Sequence, residues 1–211
     1  MQLHKEVVTE KTWNLLQKVQ TSPGFKSFYL VGGTALALQL GHRISNDLDL
    51  FCSKEFKTNI TKQLDFKYRV VSLHNNSIEL FVENTKFFFF YFTFPRVHKI
   101  IKKEGVKLAD PIDIGLMKLL ALQGRTSKKD IVDLYFIDQK VMPLAKLLDH
   151  FERKYPKESF SSYDSFKSFF NIDKVEPMPK LLIKVHWDEC LELVENKITE
   201  HLKKLFSKKI T

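Results

Sequence analysis

The spacing of apolar positions changes character along this chain. In the first half, apolar residues come in short runs and alternations; after Pro95 they recur three and four apart. Trp13, Leu16 and Val19 share one helical face, and Thr9 is placed to cap it, so residues 9–20 read as an amphipathic helix that stops at Thr21-Ser22-Pro23-Gly24. Phe28–Val31 reads as a short strand. Gly32-Gly33 opens a backbone path closed to bulkier residues, Thr34–Leu40 reads as a helix, and Gly41 is its C-cap. His42–Asn46 is a loop and Asp47–Phe51 a strand. Ser53–Leu64 is expected to be helical. Phe66–Leu73 and Ser77–Glu83 read as strands joined by a turn at His74-Asn75-Asn76, and Lys86–Phe94 as a third, very aromatic strand.

Beyond Pro95 the helical period takes over. Asp110-Pro111-x-Asp113 carries the residues of a helix start, and that helix runs to about Gln123. Ser127-x-x-Asp130 is a second start, Pro143 opens a third helix, and residues 161–170 suit a fourth. After the linker-like 174–180, a last helix spans about 187–207. The pattern predicts an α+β fold: an α/β core over residues 1–98, then a helical C-terminal part over 99–211 that completes a cleft.

Composition adds an anionic partner to this picture. The 211 residues carry a formal charge of +9, which favours nucleic acid, although surplus lysine also serves solubility. Nineteen phenylalanines point to an aromatic interior. Cys52 and Cys190 lack the spacing of a zinc site or a disulfide framework, which fits a reducing cytoplasm. The polar N-terminus is unlike a signal peptide, and the run 87–94 falls far short of the roughly 20 apolar residues that span a bilayer, so no membrane partner is expected.

The candidate chemistry sits in FYLVGGTALALQLGHRISNDLDLF, residues 28–51. Alternation along a strand puts Asp47 and Asp49 on one face, where two carboxylates converge on a hard cation. Mg²⁺ is usually held by one or two carboxylates plus substrate phosphates. The Gly-Gly turn before a helix offers backbone N–H groups and the positive helix end to a phosphate; Thr34 adds a hydroxyl and Arg43 a charge. Taken singly, a D-x-D is commonly a solvated strand face and a Gly-Gly turn commonly only a turn. Their order, strand, GG[ST], helix, strand, D-x-D, is that of the DNA polymerase beta-type nucleotidyltransferase fold.

The same stretch resembles the first motif of the AbiEii/AbiGii-type nucleotidyltransferases, toxins of bacterial toxin–antitoxin and phage-defence systems. Residues 105–137, GVKLADPIDIGLMKLLALQGRTSKKDIVDLYFI, resemble that family's second block. The resemblance implies that Gly32, Gly33 and Thr34 bind the triphosphate of an NTP, that Asp47 and Asp49 hold Mg²⁺, that Lys118 contacts nucleotide phosphates, and that Asp130 is a catalytic acidic position, with Asp133 a second acidic position. It further implies an RNA acceptor, a tRNA 3′ end first among them, and a cognate antitoxin. A protein or small-molecule acceptor and a catalytically inactive nucleotide- or RNA-binding module are the alternatives.

Each position has a plainer reading as well. Asp130 is the third residue after Ser127 and suits a helix start; Lys118, among Leu116, Met117, Leu119 and Leu120, either snorkels past the core or enters a cleft. Arg125, Lys128 and Lys129 are either solvated or phosphate-facing, and His42 either a loop residue or a substrate ligand. Many polymerase beta-type enzymes carry a third carboxylate on a later strand. Here that position is expected at Phe88, with Glu79 and Glu83 on the neighbouring strand as the available substitutes.

Overall fold

The structure is a computed structural model, and it describes residues 2–124, 127–155 and 177–210. It divides into two compact units, Met1–Asp110 and Pro111–Thr211.

The first unit is built on a seven-stranded sheet. Its strands are β1 (Tyr29–Leu30), β2 (Leu48–Cys52), β3 (Arg69–His74), β4 (Ser77–Val82), β5 (Thr85–Tyr91), β6 (Ile101–Lys103) and β7 (Val106–Leu108), in the order β3-β4-β5-β2-β1-β7-β6. β2 runs parallel to β5 and β1 parallel to β7; the remaining pairs are antiparallel. Two helices belong to this unit, α1 (Glu10–Thr21) and α2 (Gly32–Leu40). Thr9 caps α1 as its sequence predicts, its side chain accepting from the Thr12 N–H at 3.1 Å. Gly41 ends α2 in the left-handed region, at φ 66°.

One face of the sheet is core. Leu48, Leu50 and Cys52 of β2, Ile78 and Leu80 of β4, and Phe87 and Phe89 of β5 are buried there. Phe25, Phe28 and Phe89 pack with ring centroids 4.9–5.6 Å apart. The opposite face carries Asp49, Phe51, Phe88 and Phe90, all half-buried. The expected aromatic interior is therefore only part of the destiny of the phenylalanines.

Two expectations are corrected. Ser53–Leu64 contains only a 3₁₀ stretch, Thr58–Gln63. β-Branched Thr58, Ile60 and Thr61 are poor helix formers, and the hairpin turn holds the segment from outside: Asn76 Oδ1 accepts from Phe56 N at 2.8 Å and Asn75 Oδ1 from Thr58 N at 3.3 Å. Residues after Pro95 do not turn helical at once, because β6 and β7 form a hairpin and β7 joins the sheet beside β1. The sheet unit thus runs to Asp110, past the expected boundary at residue 98. Gln20 of α1 braces β7 with its amide, which donates to Lys107 O at 2.9 Å and accepts from Lys107 N at 2.6 Å.

The second unit packs α3 (Pro111–Leu122), α4 (Lys128–Lys140), α5 (Leu144–Lys154) and α6 (Trp187–Ile210) around Ile114, Leu119, Leu134, Leu147, Leu148, Phe151 and Val194. Gly115 lets α3 approach α5, since a Cβ there would lie 2.8 Å from Leu147 Cδ2. Cys190 is buried, which pushes its thiol up to about 12. The expected helix at 161–170 and Arg125 lie outside the described residues. Among the described residues no helix is long and apolar enough to cross a membrane.

Candidate active site

The Gly-Gly turn and the D-x-D strand are built as one piece. β1 lies beside β2, and Val31 N–H bonds to the Asp49 carbonyl at 2.8 Å. The next residue, Gly32, has φ +68°, and a Cβ on it would stand 2.5 Å from Asp49 Oδ2. So the absence of a side chain at Gly32 is what admits the Asp49 carboxylate to the start of α2. The N-cap residue, Val31, has no side chain that can cap the helix, and the Asp49 carboxylate stands beside its first turn. Gly33 is required for a different reason: a Cβ there would come within 2.1 Å of Arg43 Nη2. Arg43 itself is only 3% exposed, so its charge supports the turn from beneath.

Thr34 is committed to this scaffold. Its hydroxyl donates to the Asp47 carbonyl at 2.5 Å and lies 2.8 Å from Ser45 Oγ. It thereby pins the residue before β2 to the first turn of α2, and Ser45, which sequence reasoning passed over, shares the task. Asp47 is exposed and Asp49 half-buried, while Leu48 and Leu50 are buried, as alternation requires. His42 is a fully buried loop residue.

The register of β5 places Phe88 directly beside Asp49, and Glu79 of β4 beside Phe88 on the far side. Phe88, the position at which the sequence leads one to expect a third carboxylate, is thus the neighbour of Asp49 across the strands. Glu79 is two strands from Asp49, on the order of 10 Å away at ordinary strand spacing, and it is ion-paired to Lys86 at 2.8 Å. Glu83 sits in the turn after β4 and pairs with Lys11. Among the described residues no group of three or more Asp, Glu, His or Cys is arranged to hold a metal. The carboxylates available beside the start of α2 are those of Asp47 and Asp49. That fits Mg²⁺ completed by phosphate oxygens and water, and does not fit an all-protein cage.

In the second unit, Lys118 of α3 is clamped from α4. Its Nζ lies 2.6 Å from Asp130 Oδ1 and 2.6 Å from Asp133 Oδ2. Lys118 and Asp130 are each 7% exposed and Asp133 is fully buried. Three residues along a helix return to the same face, which is why both carboxylates reach one ammonium. Asp130 is therefore more than a helix start: Ser127 caps α4 through Lys129 N at 3.3 Å, and the Asp130 carboxylate is turned to Lys118. A second buried pair, Lys154 to Asp113 at 2.9 Å, joins α5 to α3. Lys128 lies over the Trp187 ring and Lys129 is exposed.

Gly32→Ala tests the fusion of turn and carboxylate. The new methyl meets Asp49 Oδ2 and also forces a left-handed φ on alanine, at a cost of roughly 1–2 kcal/mol. We expect a thermal midpoint lowered by several degrees, read by circular dichroism. An unchanged midpoint would mean that the turn accepts a side chain beside Asp49 without cost.

Comparison with known proteins follows this geometry. Residues 14–98 match the family described as nucleotidyl transferase AbiEii toxin, type IV TA system. An uncharacterized protein of Aquifex aeolicus (strain VF5) is 33% identical over 198 residues, covering 89% of this chain and 94% of that protein. The crystal structure of a candidate nucleotidyltransferase from Helicobacter pylori is similar with a TM-score of 0.57 at 19% identity, over 96% of this chain and 99% of that one. MenT4, a nucleotidyltransferase toxin from Mycobacterium tuberculosis H37Rv, is similar with a TM-score of 0.55 at 12% identity, over 89% of this chain and 80% of that one. At these identities the two structural likenesses are likenesses of fold.

Proposed function

We propose that this chain, which belongs to the AbiEii nucleotidyl transferase toxin family and is a nucleotidyltransferase, moves a nucleoside monophosphate from an NTP onto a hydroxyl of RNA, with a tRNA 3′ end as the foremost acceptor. The observation that carries the reading is the Asp49 carboxylate seated against Gly32 at the start of α2. A phosphate chain and a divalent cation are the pair of ligands that such a junction of N–H donors and carboxylates takes.

In this reading the N–H groups of Gly32, Gly33 and Thr34 orient the β- and γ-phosphates, and Arg43 keeps the turn in shape. Asp47 and Asp49 would hold Mg²⁺, which when bound would supply charge neutralisation at the phosphates. The acceptor oxygen bonds to the α-phosphorus, the bond to the β-phosphate oxygen breaks, and pyrophosphate leaves with that electron pair while the hydroxyl proton is lost. Lys118, held between Asp130 and Asp133, is assigned to nucleotide phosphates and Asp130 to fixing its ammonium. RNA as acceptor is supported by the charge of +9. A cytoplasmic site of action and a cognate antitoxin are part of the same reading, supported by the toxin–antitoxin description of the family.

Phe88, beside Asp49, favours a second reading in which the site binds nucleotide without turning it over. One experiment separates the two. The protein is incubated with each α-labelled NTP, Mg²⁺ and total tRNA, and label in RNA is followed on a denaturing gel. Transfer of one or more of the four labels is expected. Mg²⁺-dependent NTP binding with no label on RNA, protein or small molecules would establish the second reading instead.

A further inference from the structure

The open face of the sheet carries a file of aromatic rings that leads away from Asp49, and the nucleotide reading does not use it. Its members are Phe88 and Phe90 of β5, Phe51 of β2, and Phe92 and Phe94 just beyond β5. Neighbouring centroids are 5.6 Å (Phe88–Phe90), 5.5 Å (Phe90–Phe51), 5.2 Å (Phe51–Phe92) and 5.5 Å (Phe92–Phe94) apart. All five are half-buried. The file ends at a cavity of about 540 Å³, lined in part by Ser53, Phe92, Phe94, Arg96, His98 and Lys99, the last two exposed.

Rings used only for packing belong on the core face, where Phe87 and Phe89 of the same strand lie fully buried. The other face instead leaves its rings partly exposed, with Lys99 exposed at its far end and Arg96 half-buried over the Tyr29 ring. That is the composition of a single-strand platform, in which bases stack on rings and phosphates meet basic side chains.

The topology sets a direction. β2 lies between β1 and β5, and the Gly-Gly turn follows β1. A triphosphate in that turn puts the leaving pyrophosphate on the β1 side of Asp49. In-line displacement then brings the acceptor hydroxyl from the opposite side, which is β5 and its rings. From Asp49 to the cavity at Ser53 the strand rises about 13 Å, so the cavity lies upstream of the reacting end.

We propose that this file, from Phe88 to the basic pocket at Arg96–Lys99, is the track on which the unpaired 3′ end of the acceptor RNA stacks. The inference rests on the RNA-acceptor reading above and adds to it a surface and a requirement for single strand.

The test uses the full chain and a fluorescein-labelled RNA of eight nucleotides, followed by anisotropy without NTP, beside a blunt duplex of the same sequence. The single strand is expected to bind more tightly than the duplex. Phe92→Leu/Phe94→Leu keeps apolar bulk but removes two rings, and weakens single-strand binding roughly tenfold or more with an unchanged salt slope and unchanged Mg²⁺-NTP binding by equilibrium dialysis. Lys99→Gln, at an exposed position, lowers the salt slope. A third measurement needs no variant: 4-thiouridine near the RNA 3′ end should crosslink to a peptide within residues 86–99 of the native protein. Crosslinks confined elsewhere, equal binding of single strand and duplex, or a wild-type affinity in the leucine variant would each overturn the proposal, as would a protein partner that binds this face while RNA does not. Wild-type protein that binds NTP but not RNA sinks this inference alone. Protein that binds the RNA here but binds no NTP supports the track and sinks the nucleotide reading.

Discussion

Asp49→Asn is expected to reduce nucleotide transfer by about a thousandfold or more while leaving the fold intact. The carboxylate is both the group against the Gly32 cradle and half of the proposed Mg²⁺ donor set, and metal-assisted charge stabilisation contributes several kcal/mol to phosphoryl chemistry. Asparagine keeps the volume and the strand position but gives up the charge, so the unfolding midpoint should move little. Chelation of divalent cations should reproduce the loss in the wild type. The asparagine variant should still bind single-stranded RNA, at least as well as the wild type, because a negative charge has been removed. Retained transfer by Asp49→Asn, with rates within a few-fold of wild type, would remove Asp49 from the metal site.

Lys118→Met is expected to unfold the helical unit more readily, by roughly 3–5 kcal/mol, the usual cost of leaving buried carboxylates without their cation. The ammonium lies 2.6 Å from both Asp130 and Asp133, and all three side chains are almost wholly enclosed. Urea unfolding followed by circular dichroism reads the loss as a lower midpoint at similar slope. Converting the carboxylates as well, in Lys118→Met/Asp130→Asn/Asp133→Asn, should recover much of it, because the damage lies in uncompensated charge and not in lost volume. If Lys118→Met alone leaves the midpoint unchanged, the clamp is not a stabilising element and the lysine serves the nucleotide only. Single Asp130→Asn should be milder, since Asp133 keeps the ammonium paired.

Local signals carried most of the architecture. Thr9, Gly41 and the Asn75-Asn76 turn act within a few residues of themselves, so their roles could be read directly. The β6–β7 hairpin was equally local: Glu104 and Gly105 both take left-handed φ, at 50° and 83°, between matched Ile-Lys-Lys and Val-Lys-Leu triplets. That signal was present and was outweighed by the helical period that follows it. The missing helix at 53–64 was a different case, because what prevents it is held on the remote Asn75 and Asn76. In the candidate site, type and spacing marked Gly32, Gly33, Asp47 and Asp49 as candidates, and the structure sets the Gly32 turn against Asp49. They did not announce that Arg43 would be enclosed or that the Thr34 hydroxyl would be spent on the Asp47 carbonyl, since both depend on how a loop folds over the turn. Lys118 and Asp130 were expected as chemistry; that Asp133 completes their clamp follows from helical spacing and needed only the partner helix to be known.

The run Phe87-Phe88-Phe89-Phe90 has one more consequence. Four identical residues make a strand that reads nearly the same when shifted by two, so β5 carries little information about its own alignment with β2. The Glu83-Asn84 link, with Glu83 at φ 52°, sets β5 only against β4, by placing Val82 opposite Thr85; against β2 the strand is also held outside the run, where Phe92 N–H donates to the Cys52 carbonyl at 2.9 Å. A sliding error of two places would keep every ring on its proper face and the core intact, yet would set Lys86 or Phe90 beside Asp49 in place of Phe88. The identity of the neighbour at the carboxylate thus rests on contacts outside the run, among them the Phe92–Cys52 hydrogen bond about four residues beyond Phe88.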